Sequence, residues 1–572
     1  FSVTVSLLVA LTLTPMLSSR FLTPASAMSR ILKPIEHFHH GLDSAYGWLV
    51  KWAITLRYVV VLLALGSVVI GGYYARKVPT GFANAADRSE FLGSIDLPLG
   101  TGVGEAKAAA KSIQEHLAKI EHVRDVFVTA GANSQEKVNR LDLYVSITPK
   151  QQRKATQFVL MDQARTALKA AVSNATKISV AEVPWVSGGG VSQLDIEYVI
   201  RGSDLKAMQA YAERVMADMR QSGSFDDIQS SYEEGRPEVQ IRVNRSRAGD
   251  LSVSAQSIAT TARAVIGGLD VATFEDKGRR YDVRVRLEED QRQSMDQLRL
   301  MQVRGANGRL IDLPSVADIT FESGPSQIER QDRARKISIM AAAKTGVALG
   351  DASKQFIALM DRHPLPQGMT GSFEGKVKRM QESLAAIGAA FVLAMIALYM
   401  LLASQFNSFV QPLIVMLTGP LSFSGAFAAL YYGNQELSLF AQIGLLALMG
   451  IVMKNGILLI DRANQLREEG VPTRQAMLEA APERLRPVPM TAFAAVFGMI
   501  PVALAVSDGA EWRNGLGYLI IGGLTSSTIL TLIVVPAVYV MVGNAGESLG
   551  KMSRWIKARM AQKPRERQAP AE

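Results

Sequence analysis

The sequence predicts an α-helical membrane bundle of about six to seven transmembrane helices with a large α+β insert. Three observations predict it. Six stretches, 1–22, 57–76, 384–403, 410–432, 438–461 and 488–507, are long and apolar enough to span a bilayer, and a seventh, 515–543, is glycine-rich before it turns strongly apolar. The mean hydropathy of the 572 residues is only +0.13, so the apolar residues are concentrated there. Between the second and third stretches, residues 77–383 alternate short strand and helix patterns of a water-soluble kind.

The totals exclude several classes. With no cysteine there is no disulfide and no thiolate metal site. The net charge of +10 gathers beside apolar spans, which fits anionic lipid headgroups and, without basic–aromatic interleaving, not nucleic acid. No Walker loop, GxSxG, metal cluster or catalytically spaced His–carboxylate pair occurs, so no enzyme and no cofactor are expected. The chain begins at Phe1 inside an apolar run without signal-peptide features. The expectation is the tail of a membrane helix at 1–22, and one half of a larger protein.

Orientation follows from the short loops. Arg462, Arg467, Arg474, Arg484 and Arg486 crowd the loop 462–487, and the tail 544–572 is basic, whereas 433–437 carries no basic residue and 508–514 only Arg513. The positive-inside rule puts the first two in the cytoplasm and 77–383 outside. The link 23–56 mixes Ile31, Leu32, Ile35, Phe38 and Leu42 with charged residues and reads as an interfacial helix on the membrane. His37, His39 and His40 in it read as a solvated face.

The insert repeats. Strands at 91–97, 123–130, 141–147 and 177–183 with helices at 105–120 and 151–172 spell β-α-β-β-α-β, the ferredoxin-like split unit, over 77–190. A second round begins over 191–237 and closes over 318–383. A strand-rich piece, 238–317, interrupts it, with Gly267-Gly268 and Gly278 as expected hairpin turns. Pro184-Trp185 and the following SGGGVSQ read as a flexible connector between the rounds.

Within LFAQIGLLALMGIVMKNGILLID, 439–461, lies one charged side chain, Lys454. A lysine at bilayer depth costs roughly 2.5–3.5 kcal/mol on insertion scales, so it points either to snorkelling toward Asp461 or to an ion pathway. Arg484 and Thr491 stand seven apart, two helical turns, on one face. No span holds an internal aspartate or glutamate that could pair with the lysine.

These motifs carry a resemblance. ALTLTPML at 10–17, VPTGF at 78–82, GLLALMGIVMKNGILLIDRAN at 444–464 and ERLRPVPMTAFAAVFGMIPVAL at 483–504 are similar to the C-terminal half of a resistance-nodulation-division (RND) efflux permease, nearest to the hydrophobe/amphiphile (multidrug) branch. The resemblance covers essentially the whole chain. It implies a proton-driven antiporter in the Gram-negative inner membrane, working as a homotrimer with a periplasmic adaptor protein and an outer-membrane channel. The insert is then periplasmic, with 238–317 as the docking part.

Carried over by position, Lys454 matches the lysine that pairs with protonatable aspartates, Thr491 the threonine of that relay and Arg484 the arginine at its cytoplasmic entry, with Asn455 as a helix cross-link. The relay aspartates belong to the family's other half. Phe127 and Tyr144 match positions of pocket phenylalanines for an amphiphilic small molecule, strand core being the alternative. The intervening TAGANSQEKVNRL is short and polar where the family carries a Gly- and Phe-rich loop. RND-type export of a lipid, siderophore or oligosaccharide is the alternative within the family. A protein-export motor subunit or a sterol-sensing receptor is the alternative outside it, and the large, doubled, cysteine-free insert argues against both.

Overall fold

The computed structural model describes residues 2–21, 33–131, 137–184, 194–233, 235–288, 295–306, 308–324 and 327–561. The connector read at Trp185 and the centre of the polar loop after Ala130 lie outside them. The chain opens with α1 (Ser2–Leu11) and α2 (Leu13–Phe21), which divide the first apolar run at Thr12. Next come α3 (Lys33–Thr55) and α4 (Arg57–Lys77). α3 packs one face against the helical bundle. Tyr46, Val50, Ala53 and Ile54 are buried in the core of the helical bundle, and the Tyr46 hydroxyl donates to the Leu532 carbonyl at 2.8 Å. Trp48 and Trp52 stay exposed on its other side, one turn apart.

Unit 1 runs β1 (Glu90–Asp96), α5 (Val103–Leu117), β2 (Val123–Ala130), β3 (Arg140–Ile147), α6 (Gln157–Ala171) and β4 (Lys177–Glu182). The sheet is antiparallel in the order β2-β3-β1-β4. Period-two patterning makes it one-faced: Leu141, Leu143, Val145 and Ile147 point into the core while Arg140, Asp142, Tyr144 and Ser146 do not. Phe91, Ile95 and Val180 join the inward set, closed by Ile113 and Leu117 of α5 and Leu160 and Leu168 of α6. Burying each such side chain contributes about 1.5–3 kcal/mol.

The expected helix 151–172 is shorter. A 3₁₀ turn at Lys150–Gln152 precedes α6, and the extended Arg153 between them turns its guanidinium inward onto the Asp87 carboxylate. Both side chains are almost fully buried, 1% and 6% exposed. The other Asp87 oxygen accepts from the Gln157 N–H at 3.0 Å, capping α6 from a distant segment.

Unit 2 repeats the order with a long interruption. β5 (Ile196–Gly202), α7 (Leu205–Ser222) and β6 (Phe225–Ser230) come first. Asp204 caps α7 by accepting from the Lys206 and Ala207 amides. The interruption is bounded by β7 (Arg236–Val243) and, at its far end, β12 (Ala317–Gly324), which pair along their whole length.

Between them lie α8 (Arg245–Asp250), α9 (Ala255–Ala262), β8 (Leu269–Asp276), β9 (Arg279–Val285), α10 (Met295–Arg299), β10 (Gln302–Arg304), β11 (Leu310–Asp312) and α11 (Leu313–Val316). Ala248, Val253, Ile258, Val303, Leu313 and Val316 give this piece its own core. β8 and β9 form a hairpin that stands outside it. Lys277 and Gly278, both at positive φ (49° and 74°), make its two-residue turn. Gly267-Gly268 is not a hairpin turn. It ends a π-helical turn after α9 and starts β8.

Unit 2 resumes with β13 (Arg330–Gln331), β14 (Ala334–Ala343), α12 (Leu349–Arg362) and β15 (Thr370–Glu374). Its sheet runs β14-β5-β15, with β6 and β13 also pairing to β14, so the order of unit 1 recurs as β6-β14-β5-β15. Ile196, Ile200, Ile337 and Ile339 meet Met208, Tyr211 and Phe356 from α7 and α12 in its core.

β15 passes directly into α13 (Gly375–Phe406), followed by α14 (Gln411–Met416), α15 (Thr418–Tyr432), α16 (Leu439–Glu468), α17 (Thr473–Leu485), α18 (Pro487–Leu504) and α19 (Glu511–Ala561). Among the described residues, six helical segments are long and apolar enough to cross a membrane: 57–77, 375–406, 411–432, 439–468, 473–504 and 511–545. Several outrun the apolar stretches that announced them. α16 continues past Asp461 to Glu468, and α13 starts at Gly375, well before 384, because hydropathy marks the bilayer and not the helix end. α14 and α15 meet at Leu417, ahead of Gly419-Pro420, and α17 and α18 at Arg486, ahead of Pro487, whose missing N–H breaks the ladder. The closest packing is between α15 and α19. A Cβ on Gly522 would collide with the Gly425 carbonyl oxygen, so glycine is required for that approach.

Candidate functional site

Two surfaces carry the residues singled out by the sequence. The first is on the bundle. α16 buries Leu448, Val452, Leu459 and Ala463 and leaves one stripe uncovered: Ile443, Ala447, Gly450, Ile451 and Lys454. The spacing of four, three, one and three is that of a single helix face. Lys454 is thus a lone cation on an apolar stripe turned away from the bundle core. It forms no hydrogen bond or ion pair with any described residue. Its neighbour Asn455 points the other way and is buried, 6% exposed, with no side-chain hydrogen bond to a described residue.

α18 presents a comparable face, with Met490, Phe493 and Phe497 exposed and Thr491 among them. The Thr491 hydroxyl donates to the Val488 carbonyl of its own helix at 3.0 Å. Arg484 lies on the far side of the Arg486 break, in the last turn of α17. Helical φ and ψ persist through Arg486 (−75°, −51°). Arg462 holds Glu483 through two bonds of 2.6 and 3.3 Å, and Arg486 reaches Asp43 of α3 at 2.7 Å. The Arg484 Nε is buried and has no acceptor among the described residues. Among the described residues no hydrogen bond joins Lys454, Thr491 and Arg484. Lys454 and Thr491 are exposed on their own helices, whereas Arg484 is half-buried.

The second surface is the open face of the unit 1 sheet. Phe127 on β2 and Tyr144 on β3 are directly opposite each other in the register. They are 64% and 40% exposed, so the strand-core alternative is overturned. The inward phase of β3 is filled by Leu141, Leu143, Val145 and Ile147, which forces Tyr144 outward, and Phe127 follows as its partner. The Tyr144 hydroxyl donates to the Glu90 carboxylate at 2.6 Å, and Arg88 holds the other Glu90 oxygen at 2.8 Å. The phenol is held above its ordinary pKa by that hydrogen bond.

Across the same face, toward β4, a cavity of about 350 Å³ opens between the two units. Its walls carry Asp96, Glu233 and Glu329 against Lys137, Arg140 and Lys177. The Lys177 ammonium donates to Glu233 at 2.8 Å and to the Ser230 carbonyl at 2.9 Å. Burial raises the Asp96 carboxyl above its usual range, against the pull of Lys177 and Arg140. The units are joined beside it by Arg165 of α6, which grips Asp227 of β6 at 3.0 and 3.1 Å. This polar cleft was missed in the sequence. Its residues come from β1, β3, β4, β6, the residues flanking β3 and β6, and the 327–340 stretch, and only the sheet order brings them together.

A model of the AcrB/AcrD/AcrF family matches residues 1–543. The multidrug resistance protein MdtC of Escherichia coli is 27% identical over 541 residues, 94% of this chain and 52% of that protein. MdtC of Shigella sonnei is 27% identical over 538 residues with the same coverage. The chain spans about half the length of the curated relatives it matches. Among solved structures, a heavy metal efflux pump aligns with a TM-score of 0.79 at 20% identity, covering 88% of this chain and 52% of that one. A second crystal form of a heavy metal efflux pump gives 0.78 at 22% identity. At that identity the likeness shows the fold alone.

Proposed function

Because the chain belongs to the AcrB/AcrD/AcrF family of RND permeases, we propose that it forms the C-terminal half of a proton-driven exporter of amphiphilic small molecules. The observation that carries this reading is Lys454. It is a cation on the apolar stripe of α16, outside the core of its own half-bundle and without a described partner. An ammonium in hydrocarbon persists only beside an acid or a water path. A second half-bundle packed on this face supplies the acid. When that carboxylate takes up a proton it releases Lys454, and the changed pairing biases the bundle between two arrangements. Thr491, on the uncovered face of α18, extends the path by exchanging its Val488 bond. Arg484 sets the local potential at the cytoplasmic end, and Asn455 fixes α16 from its buried side. No cofactor takes part.

In this reading units 1 and 2 are ferredoxin-like porter domains in the periplasm, and the piece between β7 and β12 is the docking part. The assembly is a homotrimer in the inner membrane, completed by a periplasmic adaptor and an outer-membrane channel. Phe127 and Tyr144 offer an aromatic patch to the substrate's apolar body. The three acids and three bases of the inter-unit cleft favour a cargo that also carries polar or charged groups.

The test is reconstitution of the complete permease in vesicles with an internal pH dye and a fluorescent amphiphile. Wild type exports the dye and moves protons, Lys454→Leu does neither, and Lys454→Arg is intermediate. Full activity in Lys454→Leu, or export by this chain alone, overturns the proposal.

A further inference from the structure

Between α4 and β1 the chain crosses the end of the bundle nearest the sheets, and it is stitched there to two loops. The Pro79 carbonyl accepts from the Leu437 amide at 2.8 Å and the Phe82 carbonyl from the Leu439 amide at 3.1 Å. Asn84 donates to Gln435 at 2.9 Å and to Asn514 at 2.7 Å. The Asp87 carbonyl accepts from the Gly509 amide at 2.8 Å, and the Ser89 hydroxyl donates to Asp508 at 3.1 Å. The two loops are those that follow α15 and α18, continued by Leu439 and Asn514 in the first turns of α16 and α19. Asp87 is itself locked to unit 1 by the buried Arg153 and by its cap on α6.

One side chain of unit 1 makes a second, independent grip. Lys150, in the 3₁₀ turn ahead of α6, donates to the Ala505 carbonyl at 3.1 Å and pairs with Glu511. Ala505 caps the C-terminus of α18 in a left-handed conformation (φ 46°, ψ 54°), and Glu511 is the first residue of α19. The placement suits both helices. An ammonium complements the negative end of α18, and a carboxylate complements the positive end of α19. Lys150 therefore spans the gap between two helix ends from a third body.

We propose that Lys150 is a positioning residue that transmits displacement of α18 relative to α19 to unit 1, and so links the membrane relay to the substrate-facing sheet. The inference rests on the transport reading above. A shift of α18 drags the Ala505 carbonyl, the ammonium follows, and the rigid α6–β1 core moves with it. The 79–89 segment holds Asn514 of α19 and the 508–509 loop, but among the described residues it makes no hydrogen bond to α18 itself.

The experiment uses the complete permease in vesicles, with Lys150→Met, Glu511→Gln, their double variant and Lys150→Arg. Proton uptake and export are read together, and amide exchange at Gly509 is followed in the same proteins. The expected result is that Lys150→Met and Glu511→Gln keep gradient-driven proton uptake but lower export per proton about fivefold or more, the range typical of site-to-site coupling. The double variant is no worse than either single one, and Lys150→Arg retains the ratio. An unchanged ratio in Lys150→Met, or export and proton uptake falling in equal proportion, overturns the role. Exchange at Gly509 judges the link without transport: it quickens in Lys150→Met and not in Lys150→Arg, and unchanged exchange overturns the link even where wild type fails to export. Absence of export by wild type with the exchange pattern intact counts against the transport reading alone.

Discussion

Replacing Glu436 by glutamine should raise stability at alkaline pH and leave it unchanged in acid. Glu436 sits in the loop between α15 and α16, over Gly81, where an added Cβ would collide with its carboxylate oxygen. Burial, followed by the nearby Asp195, Asp351 and Glu182, pushes its carboxyl from the ordinary 4.5 up to about 7. A raised carboxyl binds its proton more tightly folded than unfolded. Its contribution is therefore whole below 4.5 and is lost as pH rises through about 7. At about 1.4 kcal/mol per pH decade the interval amounts to about 3 kcal/mol, an upper bound because the four acids share the strain. The assay is unfolding in detergent micelles at a series of pH values. Wild type and Glu436→Gln should converge near about pH 4 and separate progressively to about pH 8, the variant above. Parallel curves, or a variant less stable at the alkaline end, would refute the argument.

Three further outcomes are expected. Arg153→Met leaves the buried Asp87 without its cation and should cost roughly 3–5 kcal/mol in chemical unfolding; a loss under about 1 kcal/mol would mean that water reaches Asp87. Gly522→Ala drives a methyl onto the Gly425 carbonyl and the Ala429 side chain, and should lower stability by about 1–3 kcal/mol, while Gly388→Ala, with nothing within 4 Å, serves as the neutral control. Phe127→Ala is exposed and should change stability by less than about 0.5 kcal/mol yet weaken binding of an aromatic amphiphile to the complete permease, read by fluorescence titration.

Much of the architecture was written in residue periodicity. β3 alternates in burial, and LDLYVSI carries that signal for Tyr144 facing outward, although the reading of Tyr144 as pocket or strand core did not use it. Long-range facts were not legible. β8 escaped notice because its exposed face leaves no burial pattern; of the two turns expected from glycine, Gly278 makes one and the Gly267-Gly268 pair does not. The break before α6 exists for Arg153, whose partner lies far back at Asp87. The end of α16 was misjudged because a helix that leaves the bilayer needs no apolar residues to continue. Lys454 stood out from its cost alone, but only the structure shows which side of α16 the bundle leaves uncovered around it.

The ribbon of β8 and β9 has a consequence of its own. Two strands whose side chains nearly all face solvent, among them Val271, Phe274, Tyr281, Val283 and Val285, gain little beyond their ladder, the exposed Arg284–Asp270 pair and the stacking of Phe274 on Tyr281 at 5.4 Å. A lone pair of strands is marginal in water. Such an arm holds its shape on borrowed free energy: in dilute solution it frays first, and it stiffens when a foreign surface shelters its greasy side.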